Sequence, residues 1–543
     1  MPMRRPVTVI LGLALVVAVA HGGAIRDGFL YDDVQLIVDN PAVLRHDWGM
    51  IWTSAEAGSA DAAGRKFRPV TLATYAVDHL AGGGRAAVYH ATQAAFHGLV
   101  VVLVYLVGVA LWRQPAPAIA AALLVAIHPA QTEAVHYLSA RASILSTAGM
   151  LVALWAHLVA REGAGLTARA MRGLGLVAFA AACLSKESAI VLVVWVAAYE
   201  LIGARAPARE AMIRLAPYAA VAVAALVWQH LAAPDVWGQG ASVPRATGLA
   251  TGTVVVARHV AAWVAPIGIE PVSPQPWAAW TDPAVLPAVA WLVGAAACLV
   301  WGWRRTPLAS SATLDSCLAS WGVVCGLTAL LPVMVLPFMT NVALFQPHRG
   351  YTASVGFALA TVASARALAA WGLPRLNPGT AARIPAVGLA TGLILLAGTI
   401  GFDARQGRAW RDEVRFWSEA AARHPDEAAY VHSLGAARLR ANDAPGAAEA
   451  FSTALRLDPT LPRARYNLGL AYTKMGRLDE ARDAYERAVE RDPSDVKALV
   501  NLGMLYERSG DRERALRAYH AAMRAAPGLD RLRERVERLA GER

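Results

Sequence analysis

Two adjacent aspartates, Asp32 and Asp33 in GFLYDDVQ, follow the first apolar segment of the chain. A carboxylate beside a hydroxyl can take up its proton as that oxygen forms a new bond. The same pair offers oxygen ligands to a divalent cation, and the plainer reading is a helix cap or a solvent-facing turn. Of the two, Asp33 is slightly preferred as the base. Complementary cations stand elsewhere in the chain. Arg349, in QPHRGY, has the planar fork that grips phosphate oxygens in pairs and supports leaving-group charge. It is flanked by His348 and Tyr351. Lys186, in LSKES, could neutralise a phosphate as a point charge or pair with a carboxylate.

A third block, HPAQTEAVHYLSAR, carries His128, Glu133, His136 and Arg141. Glu133 and His136 are three residues apart and share a helical face. Arg141 is a further phosphate candidate, although Glu133 and Arg141 could simply pair, and His128–Pro129 could begin a kink. No independent ligand pattern supports a metal at His128, Glu133 and His136. Arg68 and His90 are supporting candidates. There is no Walker A or dinucleotide-binding loop, so nucleotide-sugar use and ATP-driven transport have no positive support. The four cysteines, Cys183, Cys298, Cys317 and Cys325, lack CxxC spacing and give neither a zinc site nor a disulfide framework. No cofactor is required by any motif, and a cation, if used, would fall to Asp32 and Asp33.

The elements that must position these groups are membrane helices. The 543 residues are 56% hydrophobic and only 17% charged, and mean hydropathy is +0.39, which points to lipid as a major solvent. The N-terminal apolar run reads as a signal peptide or as an uncleaved first helix. Further spans are expected near 88–112, 116–137, 143–160, 172–184, 187–203, 212–230, 283–303, 319–339, 349–370 and 384–402. Segment 247–265, with Arg258 and His259 in its middle, reads as interfacial or partly inserted. Leaving it out gives eleven spans and puts the arginines at 113, 161, 169, 172, 205, 209, 214, 304, 305, 366, 375 and 383 on the cytoplasmic side. The C-terminus and the candidate groups then share the opposite face. The net charge of +11 is thereby explained by membrane orientation, more economically than by nucleic-acid binding.

After residue 402 a 34-residue period takes over. Leu-Gly recurs at 434–435, 468–469 and 502–503; Ala447, Ala481 and Ala515 repeat, as do Phe451, Tyr485 and Tyr519, and Pro459, Pro493 and Pro527. This is the tetratricopeptide pattern, in which small residues allow close helix approach and an aromatic fills the gap. Three repeats occupy 428–529, after a connecting partial unit at 403–427 and before a capping tail at 530–543. Asn467 and Asn501 hold one repeat position, as a short ladder for an extended peptide backbone or as ordinary repeat consensus; Ser433 breaks the series.

The blocks GFLYDDVQLIVDNPAV, FRPVTLATYAVDHLAGGG, AIHPAQTEAVHYLSARASILS, LSKES and QPHRGYTASVGFAL, in this order and followed by the repeats, resemble the transmembrane and tetratricopeptide-repeat O-mannosyltransferases and their bacterial relatives. The resemblance implies an all-α chain: a polytopic GT-C-type membrane domain over 1–402, with an external loop at 25–87, then a tetratricopeptide solenoid. It also implies an inverting glycosyltransferase that takes a sugar, mannose first, from a polyprenyl-phosphate donor. The acceptor would be a Ser or Thr hydroxyl of a polypeptide, on the non-cytoplasmic face of the membrane. The family's acidic motif in the first external loop corresponds to Asp32–Asp33. His348 departs from the family, which carries an acidic residue before the arginine. The competing readings are a membrane-anchored repeat scaffold without catalysis, in which Asp32, Asp33, Lys186 and Arg349 would not converge, and a transporter, for which paired internal repeats are wanting.

Overall fold

A backbone in lipid has no water to bond, so the apolar runs are forced into helices that satisfy their own N–H and C=O groups. The computed structural model describes residues 4–54, 57, 67–232, 244–266, 270, 273–274, 278–290, 293, 311–334, 344–372, 392–394, 396–401, 410–461, 463–526 and 530–541. They form two units, Met1–Arg411 and Asp412–Arg543. The chain is a polytopic membrane protein. Among the described residues, seven helices are long and apolar enough to cross a bilayer: Val7–Arg26, Ala86–Trp112, Leu138–Glu162, Gly165–Ser185, Ala208–Ala232, Leu314–Met334 and Pro347–Ala370. Pro115–Ile127 and Pro129–His136, bent by 55° at His128, would add an eighth as one broken span.

Of the remaining expected spans, 283–303 and 384–402 lie largely outside the described residues. The expected span 187–203 is no single helix. It runs as a 3-10 turn Glu187–Val191, a short α-helix Leu192–Ala198 and a π turn Tyr199–Gly203. A buried carboxylate lies in the last of these. Glu200 is inaccessible to solvent and meets His157 Nε2 at 2.9 Å and Arg214 Nη1 at 2.8 Å. The ambiguous segment 247–265 is helical over Arg245–Val264. Among the described residues the one sheet is a two-residue antiparallel pair, Ser273–Pro274 with Leu344–Phe345.

In the membrane unit Ser311–Ala329 packs along Tyr351–Gly372. Apolar helices gain little from hiding from lipid, so they associate through packing, which favours small residues at the contact. Gly322 and Gly326 lie one turn apart and face Gly356. A Cβ on Gly322 would lie 2.7 Å from Ala360 N and 2.8 Å from Gly356 O. One on Gly356 would press on Gly326 N and Gly322 O. Backbone cannot swing aside as a side chain can.

In the second unit the 34-residue period becomes a repeated contact. Gly435, Gly469 and Gly503 each lie under an aromatic ring, Phe451, Tyr485 and Tyr519 respectively, with no room for a Cβ. The helices pair as Ala428–Arg440 with Ala444–Leu457, Ala464–Lys474 with Leu478–Arg491, and Val496–Arg508 with Arg512–Ala525. Glu413–Arg423 packs before the first pair and Asp530–Gly541 after the last. Asp443, Asp495 and Asp511 cap helix starts by accepting from backbone N–H groups.

The membrane contact gives a direct test. Gly356→Ala should destabilise the detergent-solubilised chain by roughly 1–3 kcal/mol through overpacking. Gly98→Ala, in a helix with open space at its Cα, should be neutral or mildly stabilising. Thermal unfolding of both variants decides; equal behaviour would mean the glycine contact does not hold the two helices together.

Candidate functional site

The segment Thr132 to Arg141, which ends the bent pair and opens the next span, collects most of the candidate groups. Its backbone is short helical turns, Thr132–His136 and Leu138–Ala140, and so has polar groups to satisfy. Gln93 Nε2 donates to Ala134 O at 2.7 Å and Tyr137 O at 3.1 Å. Tyr75 Oη donates to Leu138 O at 2.7 Å. Arg141 braces both supports: Nε reaches Gln93 Oε1 at 3.1 Å, Nη2 reaches Tyr89 O at 2.7 Å, and Nη1 reaches Asp78 Oδ2 at 2.5 Å. Its guanidinium also lies 4.6 Å from the centre of the Tyr75 ring.

Arg141 is therefore no phosphate ligand. It has no solvent exposure, and its donors are spent on structure. Its carboxylate is Asp78, not Glu133. Glu133 instead takes His348, accepting from His348 N and meeting Nδ1, both at 2.9 Å. The carboxylate expected by resemblance at position 348 is thus brought beside His348 from another helix. His136 meets Asp27 at 2.5 Å, and His128 Nε2 lies 2.9 Å from Trp263 O. His128, Glu133 and His136 go to three separate partners, and no cluster of three metal-ligating groups occurs among the described residues.

The two aspartates are held very differently. Tyr31, at φ 52°, turns the chain through the left-handed region, a conformation that costs a side chain roughly 1–2 kcal/mol. Beyond this turn Asp32 is exposed and accepts from Tyr137 Oη at 2.9 Å. Asp33 points inward with 1% exposure. It accepts from Ser139 N at 2.8 Å, Ser139 Oγ at 2.6 Å and Leu30 N at 3.2 Å. Burial pushes its carboxyl up to about 7, against the pull of these bonds and with some help from the charge of Asp32. With the oxygens of Asp33 already engaged, the pair does not present two carboxylates to one cation.

Arg349 lies within electrostatic reach of Glu133, Tyr137, Asp32 and Tyr31. Its Nη1 is buried and has no hydrogen-bond partner among the described residues. Asp32, Tyr137, His348 and Arg349 therefore form one cluster, bridged by the Tyr137 ring, whose centre is 5.5 Å from that of His348. The other candidates have partners of their own. Arg68 forks onto Glu187 at 2.7 and 3.0 Å through Nη2, and Lys186 Nζ donates to Ser143 Oγ at 2.7 Å. His90 meets Gly28 O at 3.2 Å, tying down the chain just before the aspartates. Tyr351 Oη is 2.7 Å from His97 Nδ1 and the residue is buried. In the repeats, Asn467 Nδ2 lies 2.9 Å from His432 Nε2, and Asn501 Nδ2 donates to Tyr466 and Tyr485 Oη at 3.4 and 3.3 Å.

Sequence reasoning missed Tyr137, Ser139 and Asp78. The available signal was polarity in an apolar segment. It also missed Trp410, whose carbonyl accepts from Gly28 N at 3.3 Å and whose ring centre lies 5.9 Å from that of Tyr137.

Comparison with known proteins finds likeness at the level of a family. The chain is 32% identical over 193 residues to the protein O-mannosyl-transferase Tmtc1 of Drosophila melanogaster, a stretch covering 33% of this chain and 21% of that one. It is 30% identical over 152 residues to the protein O-mannosyl-transferase TMTC3 of Mus musculus, covering 26% and 16%. The chain thus spans about a fifth or less of the length of these relatives. Tetratricopeptide-repeat family models match residues 435–476, 462–495 and 484–517. Among solved structures, the Archaeoglobus fulgidus oligosaccharyltransferase aligns over 75% of this chain and 55% of its own. Its identity is 15% and its TM-score 0.42, too distant to bear on function.

The burial of Asp33 predicts a pH signature. An unfolded aspartate titrates near 4, whereas Asp33 titrates at about 7. The neutral form therefore favours the fold below about pH 4, and this contribution is lost as pH rises through about 7, roughly 4 kcal/mol at most. Asp33→Asn cannot accept on both sides and should cost roughly 1–3 kcal/mol at low pH, but its stability should lack the decline towards pH 7. Unfolding curves across that range check this; an unchanged slope in the variant would assign the titration to another group.

Proposed function

We propose that the chain is a membrane glycosyltransferase that moves a sugar, with mannose the first candidate, from a polyprenyl-phosphate donor to a Ser or Thr hydroxyl of a polypeptide on the non-cytoplasmic face. The observation that carries this reading is one cluster holding an exposed carboxylate, Asp32, and a guanidinium, Arg349, with a buried nitrogen that has no hydrogen-bond partner among the described residues. Of the four groups whose convergence would favour catalysis over a scaffold, Asp32 and Arg349 share the cluster, while Lys186 is bonded to Ser143 and Asp33 is buried beneath the turn. The likeness to O-mannosyl-transferases supports the choice of reaction and of sugar.

In this reading Asp32 is the base and Asp33 the anchor, the reverse of the preference drawn from sequence. An acceptor can approach only the exposed carboxylate, while Asp33 fixes the turn through Ser139 and Leu30. Asp32 takes the hydroxyl proton as the acceptor oxygen bonds to the anomeric carbon. The bond from that carbon to the phosphate oxygen breaks, and polyprenyl phosphate leaves with the electron pair. Arg349 Nη1 donates to the phosphate as its charge grows, where a preset donor in a dry site is most effective. Glu133 and His348 hold the turn that carries Arg349, and the Arg68–Glu187 fork holds the turn that carries Lys186.

The repeat unit is read as the acceptor-binding half. Asn467 and Asn501 use their amide nitrogens within the solenoid, and their amide oxygens carry no hydrogen bond among the described residues. Two such oxygens one repeat apart suit the N–H groups of an extended chain.

Purified protein given a panel of polyprenyl-phosphate sugars and a Ser/Thr peptide, with product mass measured, tests the reaction. Asp32→Asn should cost roughly 10²–10⁴ in turnover with unchanged thermal stability. Near-normal turnover would remove Asp32 as the base, and absence of product with every donor would remove the reaction itself. For acceptor capture, Asn467→Ala with Asn501→Ala should raise KM for a long unfolded acceptor and spare a short peptide, because tethering acts through effective concentration. No change on either acceptor would sink the ladder.

A further inference from the structure

Beside the cluster lies a cleft lined by Gln131, His259, Trp263, Gly350, Ser354 and Phe357. It opens where the bent pair breaks at His128–Pro129, and irregular backbone at membrane depth is tolerated where it is buried in protein or lines a cavity. The walls are set firmly. Trp263 stacks on His128 with ring centres 4.1 Å apart and 16° between planes. His128 Nδ1 also accepts from Ala130 N at 3.2 Å, fixing the turn that carries Gln131. On the opposite side Gly350 allows His259 to close in, since a Cβ there would lie 2.7 Å from His259 Cδ2. His259 is anchored at both nitrogens, to Val255 O at 2.8 Å and Gln346 O at 3.1 Å.

Gln131 is the anomaly. It has no solvent exposure, and neither its amide oxygen nor its amide nitrogen has a hydrogen-bond partner among the described residues. Leaving a buried amide wholly unpaired costs several kcal/mol in apolar surroundings, so an amide held this way is ordinarily completed by something polar. An isoprenoid chain would leave it unpaired. A pair of neighbouring hydroxyls would not, because one can donate to Oε1 while the other accepts from Nε2. Gly350, in the opposite wall, is the immediate neighbour of Arg349, the proposed phosphate ligand.

We infer that Gln131 is a specificity residue, and that the cleft takes the hydroxyl-bearing edge of the donor sugar while Arg349 holds the phosphate; this rests on the donor reading proposed above. A site built to bond hydroxyls discriminates strongly against a ligand without them, because its own polar groups are then stranded. Donor selection is therefore placed in the membrane unit, at a residue distinct from the proposed phosphate ligand.

Binding of two lipids to the full chain in nanodiscs tests this without relying on turnover: a polyprenyl phosphate, and the same lipid carrying mannose. The wild type should bind the mannosyl lipid more tightly than the bare phosphate. Gln131→Leu should weaken the mannosyl lipid roughly 10- to 100-fold, as loss of two hydrogen bonds implies, and change the bare phosphate less than about twofold. Its melting temperature without ligand should hold or rise, since an unpaired amide is removed. Equal affinity of the wild type for the two lipids would overturn the inference while leaving the donor reading intact. So would a loss of stability in Gln131→Leu with the mannosyl preference retained, which would make the amide a structural water site. Failure of both lipids to bind, by wild type and variant alike, would overturn the donor reading and this inference with it. An Arg349→Gln variant separates the two determinants: it should weaken both lipids in parallel and keep the preference for mannose.

Discussion

A guanidinium shut away from solvent in a membrane protein must have its N–H groups met by the protein, and Arg141 imposes that requirement on everything around it. Its bonds to Asp78, Tyr89 and Gln93 join the helix Pro69–Gly82 to the span Ala86–Trp112 and to its own span. Gln93, oriented by Arg141, then completes the broken backbone at Ala134 and Tyr137. Tyr75, lying against the same guanidinium, does so at Leu138. Tyr137 and Ser139 are consequently held in place, and these two residues carry the aspartate turn. Removing one partner of such a buried pair leaves an uncompensated charge, so the site and the fold of the membrane unit cannot be separated here.

The turn divides labour between two chemically identical neighbours. Tyr31 in its left-handed conformation, and the three hydrogen bonds onto Asp33, set one carboxylate inward and the next outward. Burial favours the neutral acid in Asp33, whereas Asp32 keeps contact with solvent and with the field of Arg349. Upstream, Asp27–His136, His90–Gly28 and Gly28–Trp410 fasten the chain that leads into the turn. The aspartates are thus fixed by ties upstream of the turn as well as by Ser139 and Leu30 at the turn itself.

The repeat unit obeys a simpler rule. One contact, a glycine beneath an aromatic ring, is copied at intervals of 34 residues, so each pair of helices packs like the last. Position-specific chemistry is added on top, as in His432 beside Asn467 and the two tyrosines beside Asn501.

This contrast marks what could be read from the chain alone. Periodicity and hydropathy are local properties, so the repeats, the apolar spans and the polar groups interrupting them were legible in the order of residues. So was the resemblance that singled out Asp32–Asp33 and Arg349. Pairing was not legible, because it depends on which helices become neighbours. Arg141 and Glu133, eight positions apart, look like partners on paper, yet Arg141 closes on Asp78 and Glu133 on His348, each from a distant part of the chain. The segment 187–203 has the composition of a span, but the turns it adopts follow from tertiary ties to Glu200 and Glu187. Nor does adjacency tell Asp32 from Asp33. Only the packed structure, by burying one carboxylate and exposing the other, decides which of them solvent can reach.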